Sequence, residues 1–397
     1  MLLQIILALL LGVSAGTLTG LIPGIHVNLI GTTLVSLSLG VFSGISSVYL
    51  VVFITSMSIT HTFLDFIPSI FLGCPDTDTE LSVLPGHELL KKGEGYGAIL
   101  LTSYGSIAAI FVLLILIFPS LIIIPRIFPF VQKITPLLLI LISFSLILTE
   151  RKKLNALIVF FLSGFLGLCV LNMEMKEPLL PLLTGLFGSS MLIISIKEKV
   201  KIPEQKIEKI KVKLFRPLLG AVIASPLCSF LPGLGSGQAA IIGNQISGTD
   251  KRGFLVLLGA TNTLVMGFSF LSLYLISRTR TGSALAIKEI IGIPSNGVLI
   301  LIFASILFSG IISFFLTKFL ARYFSKNIRR INYALLSLIT ILILVNIIAI
   351  FSGFLGLIIL TISTLTGIYC ISLKVRRTNM MGCLLIPVII FYLTNRT

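Results

Sequence analysis

Apolar stretches follow one another along the whole chain, at residues 2–22, 27–41, 45–73, 97–124, 134–149, 154–173, 178–196, 215–231, 237–247, 253–277, 295–317, 331–350, 353–373 and 379–394. Crossing a hydrocarbon layer of about 30 Å takes about 20 helical residues, and most of these stretches reach or approach that length. A water-soluble fold has no use for so much apolar surface. Of 397 residues 56% are hydrophobic and 11% charged, where a soluble protein carries about 25% charged residues. A backbone in contact with lipid must satisfy its own hydrogen bonds, so the stretches are expected to be helices. The fold class is an all-α polytopic membrane protein.

The charge distribution sets the orientation. A net charge of +16 would suggest nucleic acid as the partner of a soluble protein, but here Lys and Arg sit in the short connections between apolar stretches. That is the pattern of basic cytoplasmic loops, and no nucleic-acid partner is expected. The strongest polar interruption, KEKVKIPEQKIEKIKVK at 197–213, carries seven Lys and divides the chain almost in half. We take 1–196 as a first transmembrane repeat, 197–214 as a basic cytoplasmic linker and 215–397 as a second repeat. The first segment lacks a basic leader region and is expected to stay in the membrane. The protein is placed in the cell membrane as a multi-pass chain among lipids.

Counting crossings outward from the linker puts Lys91, Lys92, Arg151, Lys152, Lys153, Lys318, Arg322, Lys326, Arg329, Arg330, Lys374, Arg376 and Arg377 on the cytoplasmic side. This requires the pairs 2–22 with 27–41 and 215–231 with 237–247 to enter and leave on one side, as hairpins. Each repeat is then a re-entrant Pro-Gly hairpin plus about five transmembrane helices, and the odd number of crossings inverts the second repeat. Sequence likeness between the halves agrees. LIPGIHVNLIG at 21–31 pairs with FLPGLGSGQAA at 230–240, SGFLGL occurs at both 163–168 and 352–357, Thr60-His61-Thr62 matches Thr261-Asn262-Thr263, and Asp76-Thr77-Asp78-Thr79 matches Arg278-Thr279-Arg280-Thr281. Inverted repeats of this kind mark secondary transporters.

Several polar residues are placed where they carry chemistry. The hairpin tips, Pro23-Gly24 followed by His26 and Asn28, and Pro232-Gly233 followed by Gly235 and Ser236, should break their helices and expose backbone groups to a solute. Ordinary surface turns are the plain alternative, but the second hairpin arms are too short to span a bilayer. Arg278 and Arg280 offer planar donors suited to carboxylate or phosphate, and Asn262 joins them as a substrate-side candidate. Asp76 and Asp78 are candidates for a coupling cation or for pairing with those arginines, and solvated charges in surface loops are the plain alternative for both strings. Asp65 lies inside an apolar stretch four residues after His61, which puts both on one helix face. An intramembrane carboxylate suggests a proton or cation relay, and a buried polar pair that fixes helix packing explains it as well. His26 reads equally as a helix-end residue, and His87 as part of a surface loop. The five cysteines have no metal spacing and are read as packing residues. No metal site is expected, no phosphate loop or nucleophile elbow occurs, and no enzyme activity is expected. No cofactor is implied beyond a coupling Na or H cation.

GTLTGLIPGIHVN near the start, THTFLDFIPSIFLGCPDTDTELSVLPGHELLKKGEGYGAILL at 60–101 and FLPGLGSGQAA at 230–240 resemble the large membrane subunit of tripartite tricarboxylate transporters, in its archaeal-type branch. The resemblance implies a many-helix permease for an organic carboxylate, driven by an ion gradient. Carried over by motif, it marks Pro23, Gly24, Pro232, Gly233 and Gly235. The segment MGFSFLSLYLISRTRTGSA at 266–284 departs from the family's small-residue Pro-Gly loop. The expected function is a secondary transporter of an anionic solute. Two alternatives stand beside it: a translocase of a lipid-linked phosphate such as polyprenyl phosphate, and an assembly protein whose polar strings only hold helices together. A homodimer and accessory transport subunits stay open as partners.

Overall fold

A computed structural model describes residues 2–22, 44–73, 79–175, 178–197, 202–230, 235–328 and 333–394. Those residues are helical with short connections, and no strand occurs among them. The helices are α1 (Leu2–Leu21), α2 (Ser47–Leu64), α3 (Phe66–Phe71), α4 (Val83–Lys91), α5 (Gly95–Leu148), α6 (Lys153–Leu171), α7 (Leu179–Leu183) and α8 (Ser190–Lys197). After the linker come α9 (Phe215–Phe230), α10 (Ser236–Ser247), α11 (Lys251–Ile276), α12 (Gly282–Ile291), α13 (Asn296–Asn327), α14 (Tyr333–Ser372) and α15 (Gly382–Thr394). Eight helical stretches among the described residues are long and apolar enough to cross a membrane.

The pattern of exposure suits lipid. Phe118 is 76% exposed and Phe354 78%, and both stand among other outward Leu, Ile and Phe side chains. Two helices rich in Ser and Thr, α2 and α11, are almost wholly buried. Apolar side chains thus face outward while Thr, Ser, His, Asp and Asn face inward, as expected where lipid replaces water.

The chain forms two compact units. The first comprises 1–68, 96–128 and 207–324, and the second 69–95, 129–206 and 325–397, so each draws on chain from both sides of the linker. In the first unit, glycines at every fourth position let α1 lie directly on α2. A Cβ on Gly12 would stand 2.5 Å from the Phe53 carbonyl oxygen, one on Gly16 would overlap the Met57 carbonyl, and one on Gly20 would stand 2.8 Å from Leu64 Cβ. Small residues at this spacing are the usual device for close helix contact in membranes.

In the second unit, α6 and α15 pack through Gly164 against Ile386 and Gly167 against the Cys383 backbone. The string SGFLGL, which lies in regular helix at 163–168, contains a helix break at its second occurrence, where Gly353 takes φ 65° and ψ −161°. Cys228, Cys370 and Cys383 are free and buried and Cys169 is half-buried, in keeping with packing roles. The linker is ordered where it meets the 90–95 turn. The Gly95 amide donates to Gln205 Oε1 at 2.8 Å, Gln205 Nε2 donates to the Leu90 carbonyl at 3.1 Å, and the Lys206 amide donates to the Gly93 carbonyl at 2.7 Å.

His87, read from sequence as part of a surface loop, lies buried on α4 beside Gly73. Burial first, then the positive charges of Arg377 and Lys91, lower its pKa from 6.5 to about 3.

Two expectations follow. Gly16→Leu should destabilise the protein by about 1–3 kcal/mol through overpacking against α2, read as a lower unfolding midpoint in detergent. Between about pH 6.5 and pH 3 the unfolded chain takes up a proton at His87 that the folded chain refuses. Stability should therefore fall with falling pH in that window, by up to about 1.4 kcal/mol per pH unit from this group, and a His87→Gln variant should show a shallower pH slope.

Candidate functional site

The candidate site lies in the first unit, where α2 and α11 meet. α2 ends at Leu64 and α3 begins at Phe66, with Asp65 as the turn between them. Pro68 explains the interruption, because it has no N–H to donate to the Leu64 carbonyl and its ring crowds that group. Asp65 is 2% exposed, and its Oδ2 accepts from Asn262 Nδ2 at 2.8 Å. His61 Nε2 stands 4.0 Å from the same carboxylate oxygen, one helical turn back. His61 Nδ1 is 3.1 Å from Thr19 Oγ1, so the glycine contact between α1 and α2 also delivers the hydroxyl that orients the imidazole.

Hydroxyls surround this group. Thr62 Oγ1 and Thr263 Oγ1 lie 3.1 Å apart, Ser313 Oγ donates to Thr60 Oγ1 at 2.9 Å, and Ser58 Oγ donates to Ser283 Oγ at 2.6 Å. The two matched triplets of the sequence, Thr60-His61-Thr62 and Thr261-Asn262-Thr263, are therefore in contact, and the second supplies the amide that holds the Asp65 carboxylate. A carboxylate, an imidazole and an amide in a buried space can hold a proton or bind a small cation. Neutral hydroxyls supply oxygen ligands without adding charge.

A second hydroxyl arrangement repeats between the halves. Ser69 Oγ and Thr79 Oγ1 are 2.6 Å apart, and Ser269 Oγ and Thr281 Oγ1 are 2.9 Å apart. Thr79 precedes the turn leading into α4, and Thr281 caps α12, where its hydroxyl accepts from the Ala284 amide at 3.3 Å.

The other sequence candidates fall elsewhere. Arg278 is exposed and Arg280 half-buried, in the turn between α11 and α12. That turn is held by Ser272 Oγ donating to the Arg278 carbonyl at 3.1 Å, after Ser277 ends α11 in the left-handed region with φ 54°. Gly235 and Ser236 begin α10. Pro23, Gly24, His26, Asn28, Asp76, Asp78, Pro232 and Gly233 lie outside the described residues. Among the described residues no group of three or more His, Cys, Asp or Glu is arranged to hold a metal ion. Thr19 and Thr62 were not singled out in the sequence. The glycine spacing of α1 was the available signal for Thr19, and the internal match of the triplets for Thr62.

Apolar outer helices around a buried carboxylate held by polar side chains define a multi-pass membrane protein with an internal polar centre. The chain matches the tripartite tricarboxylate transporter TctA family over residues 6–382, and it belongs to that family. It is also 33% identical over 401 residues to an uncharacterized protein of Methanocaldococcus jannaschii, covering 98% of this chain and 99% of the relative. No solved structure matches.

The Asp65–Asn262 pair gives a direct stability test. Asn262→Ala removes a buried donor to a carboxylate and should cost about 1–3 kcal/mol, whereas replacing both Asp65 and Asn262 by Leu should cost less than the single change. Unfolding midpoints of the two variants in detergent measure the difference.

Proposed function

We propose that this protein is the membrane component of a cation-coupled secondary transporter for an organic carboxylate. The observation that carries the reading is Asp65, a buried carboxylate within an apolar span, held at 2.8 Å by Asn262 from the matching helix of the other half. Membership of the tripartite tricarboxylate transporter family supplies the carboxylate as solute. It lends no support to lipid-phosphate translocation. In tripartite systems the membrane component works with other subunits, and this chain is assigned accessory partners on the same ground.

In the mechanism we infer, Asp65 takes up H or Na on one side of the membrane. His61, fixed by Thr19, moderates the charge, and occupancy weakens the hold of Asn262 on the carboxylate. Two matched halves in opposite orientation provide the alternation. Their support is the order of elements and the contacts between counterparts. Thr62 meets Thr263, its own counterpart, as a residue near a two-fold axis does. Three residues beyond Thr62, Asp65 meets Asn262, one residue before Thr263, which suits antiparallel counterparts. The Pro-Gly tips are proposed as re-entrant, with Pro23, Gly24, His26, Asn28, Pro232, Gly233, Gly235 and Ser236 facing the solute. Arg278 and Arg280 are proposed to attract the anion, Asp76 and Asp78 to assist the cation, and the basic linker to lie in the cytoplasm.

Proteoliposomes test this reading. Labelled citrate should accumulate inside when an inward H or Na gradient is imposed together with any accessory subunits. Asp65→Asn should abolish gradient-driven accumulation by at least tenfold while leaving the amount of folded protein unchanged. Full accumulation by that variant, or loss of the folded protein, would reject Asp65 as the coupling group.

A further inference from the structure

The start of α10 is a buried site made of donors. α10 spans twelve residues, Ser236–Ser247, and its N-cap is Gly235, in extended conformation with φ −108° and ψ −179°. A glycine has no side chain to accept from the first helical amides, unlike Asp250 and Thr281, which cap α11 and α12. The helical ladder begins with the Ala239 amide donating to the Gly235 carbonyl at 3.0 Å. The amides of Gly237 and Gln238 precede that first bond and have no carbonyl of their own helix to donate to.

Gln238 adds a further donor. Its side chain folds back over the first turn, so that the Gly235 amide donates to Oε1 at 2.7 Å. This bond fixes the amide plane, because exchanging the two atoms would set Nε2 against the Gly235 N–H, donor against donor. Nε2 is therefore held beside the same turn, where it is buried and has no acceptor among the described residues, and the residue is 2% exposed. A buried donor without an acceptor is costly to leave unmet, and here it lies at the positive end of a helix dipole.

We propose that the first turn of α10 binds one carboxylate group of the transported solute, with Gln238 Nε2 and the amides of Gly237 and Gln238 as its donors. This rests on the carboxylate-transport reading above. The group to be bound must bring acceptors and negative charge. A carboxylate brings two acceptor oxygens and a single negative charge, which suits a cluster of neutral donors at a helix start. Gln238 then contributes to specificity, since a neutral or donor-bearing head in the same position would leave Nε2 unmet.

The test uses the purified full-length protein in detergent, titrated with acetate, succinate, citrate and inorganic phosphate while the unfolding midpoint is followed. A ligand that binds only the folded state raises the midpoint in proportion to its affinity. The informative variant is Gln238→Glu. Its carboxylate still accepts from the Gly235 amide and suits a helix start, so the midpoint without ligand should hold or rise. It replaces the Nε2 donor by an anion, so the citrate Kd should increase at least tenfold. An unchanged Kd in Gln238→Glu would overturn the α10 site while leaving the transporter reading intact. A lower midpoint without ligand would make Gln238 a structural residue and also overturn the site. Stabilisation of the wild type by phosphate in preference to every carboxylate would overturn the ligand class. A wild type that no carboxylate stabilises would count against the transporter reading itself.

Discussion

A carboxylate within an apolar helix has to be solvated by the protein around it, and much of the first unit can be understood from that requirement at Asp65. Its side chain is buried at 2% exposure, so neighbouring helices must supply the donors. Asn262 donates directly, His61 stands one turn away on the same helix, and Thr19 holds the imidazole from α1. Each of these needs close helix approach. The glycines of α1 permit it on one side of α2, and the hydroxyl contacts of Thr62 with Thr263 and Ser313 with Thr60 pin the others. The polar centre and the small-residue packing are therefore parts of one solution to the same electrostatic problem.

Helical architecture was legible in the sequence because lipid leaves a long apolar segment little other choice. The His61–Asp65 pairing was legible for the same kind of reason, since four residues make one helical turn and the spacing survives any tertiary arrangement. The partner of Asp65 was harder to find. Asn262 lies 197 residues away along the chain, and only the likeness of two three-residue strings connected it to His61. Thr19 carried no signal of its own, because a threonine between glycines reads as packing until the helix it faces is known. His87 was misread because PGHELLKKG has the composition of a loop, whereas nine residues, Val83–Lys91, form a helix that buries the imidazole.

The repeated string SGFLGL shows where sequence identity stops determining backbone. At 163–168 its glycines lie against α15, and the helix runs through. At 352–357 Gly353 takes a positive φ and the helix breaks. Glycine permits both conformations at little cost, so the surroundings decide. The Ser69–Thr79 and Ser269–Thr281 hydroxyl pairs show the opposite case. There the hydroxyl contact is kept although the neighbouring residues are acidic in one half and basic in the other.

Gln205 changes the status of the segment that joins the halves. A linker that arose as a passive tether would be free to lengthen, shorten or be cut, because its ends alone would matter. Here one side chain accepts from the start of α5 and donates to the end of α4, so the joint serves as a structural part of the half that precedes it. A gene that came to encode the two halves as separate chains would have to break after Lys206. A break on the other side would hand the first half's clasp to the second chain and turn an internal turn into a subunit contact.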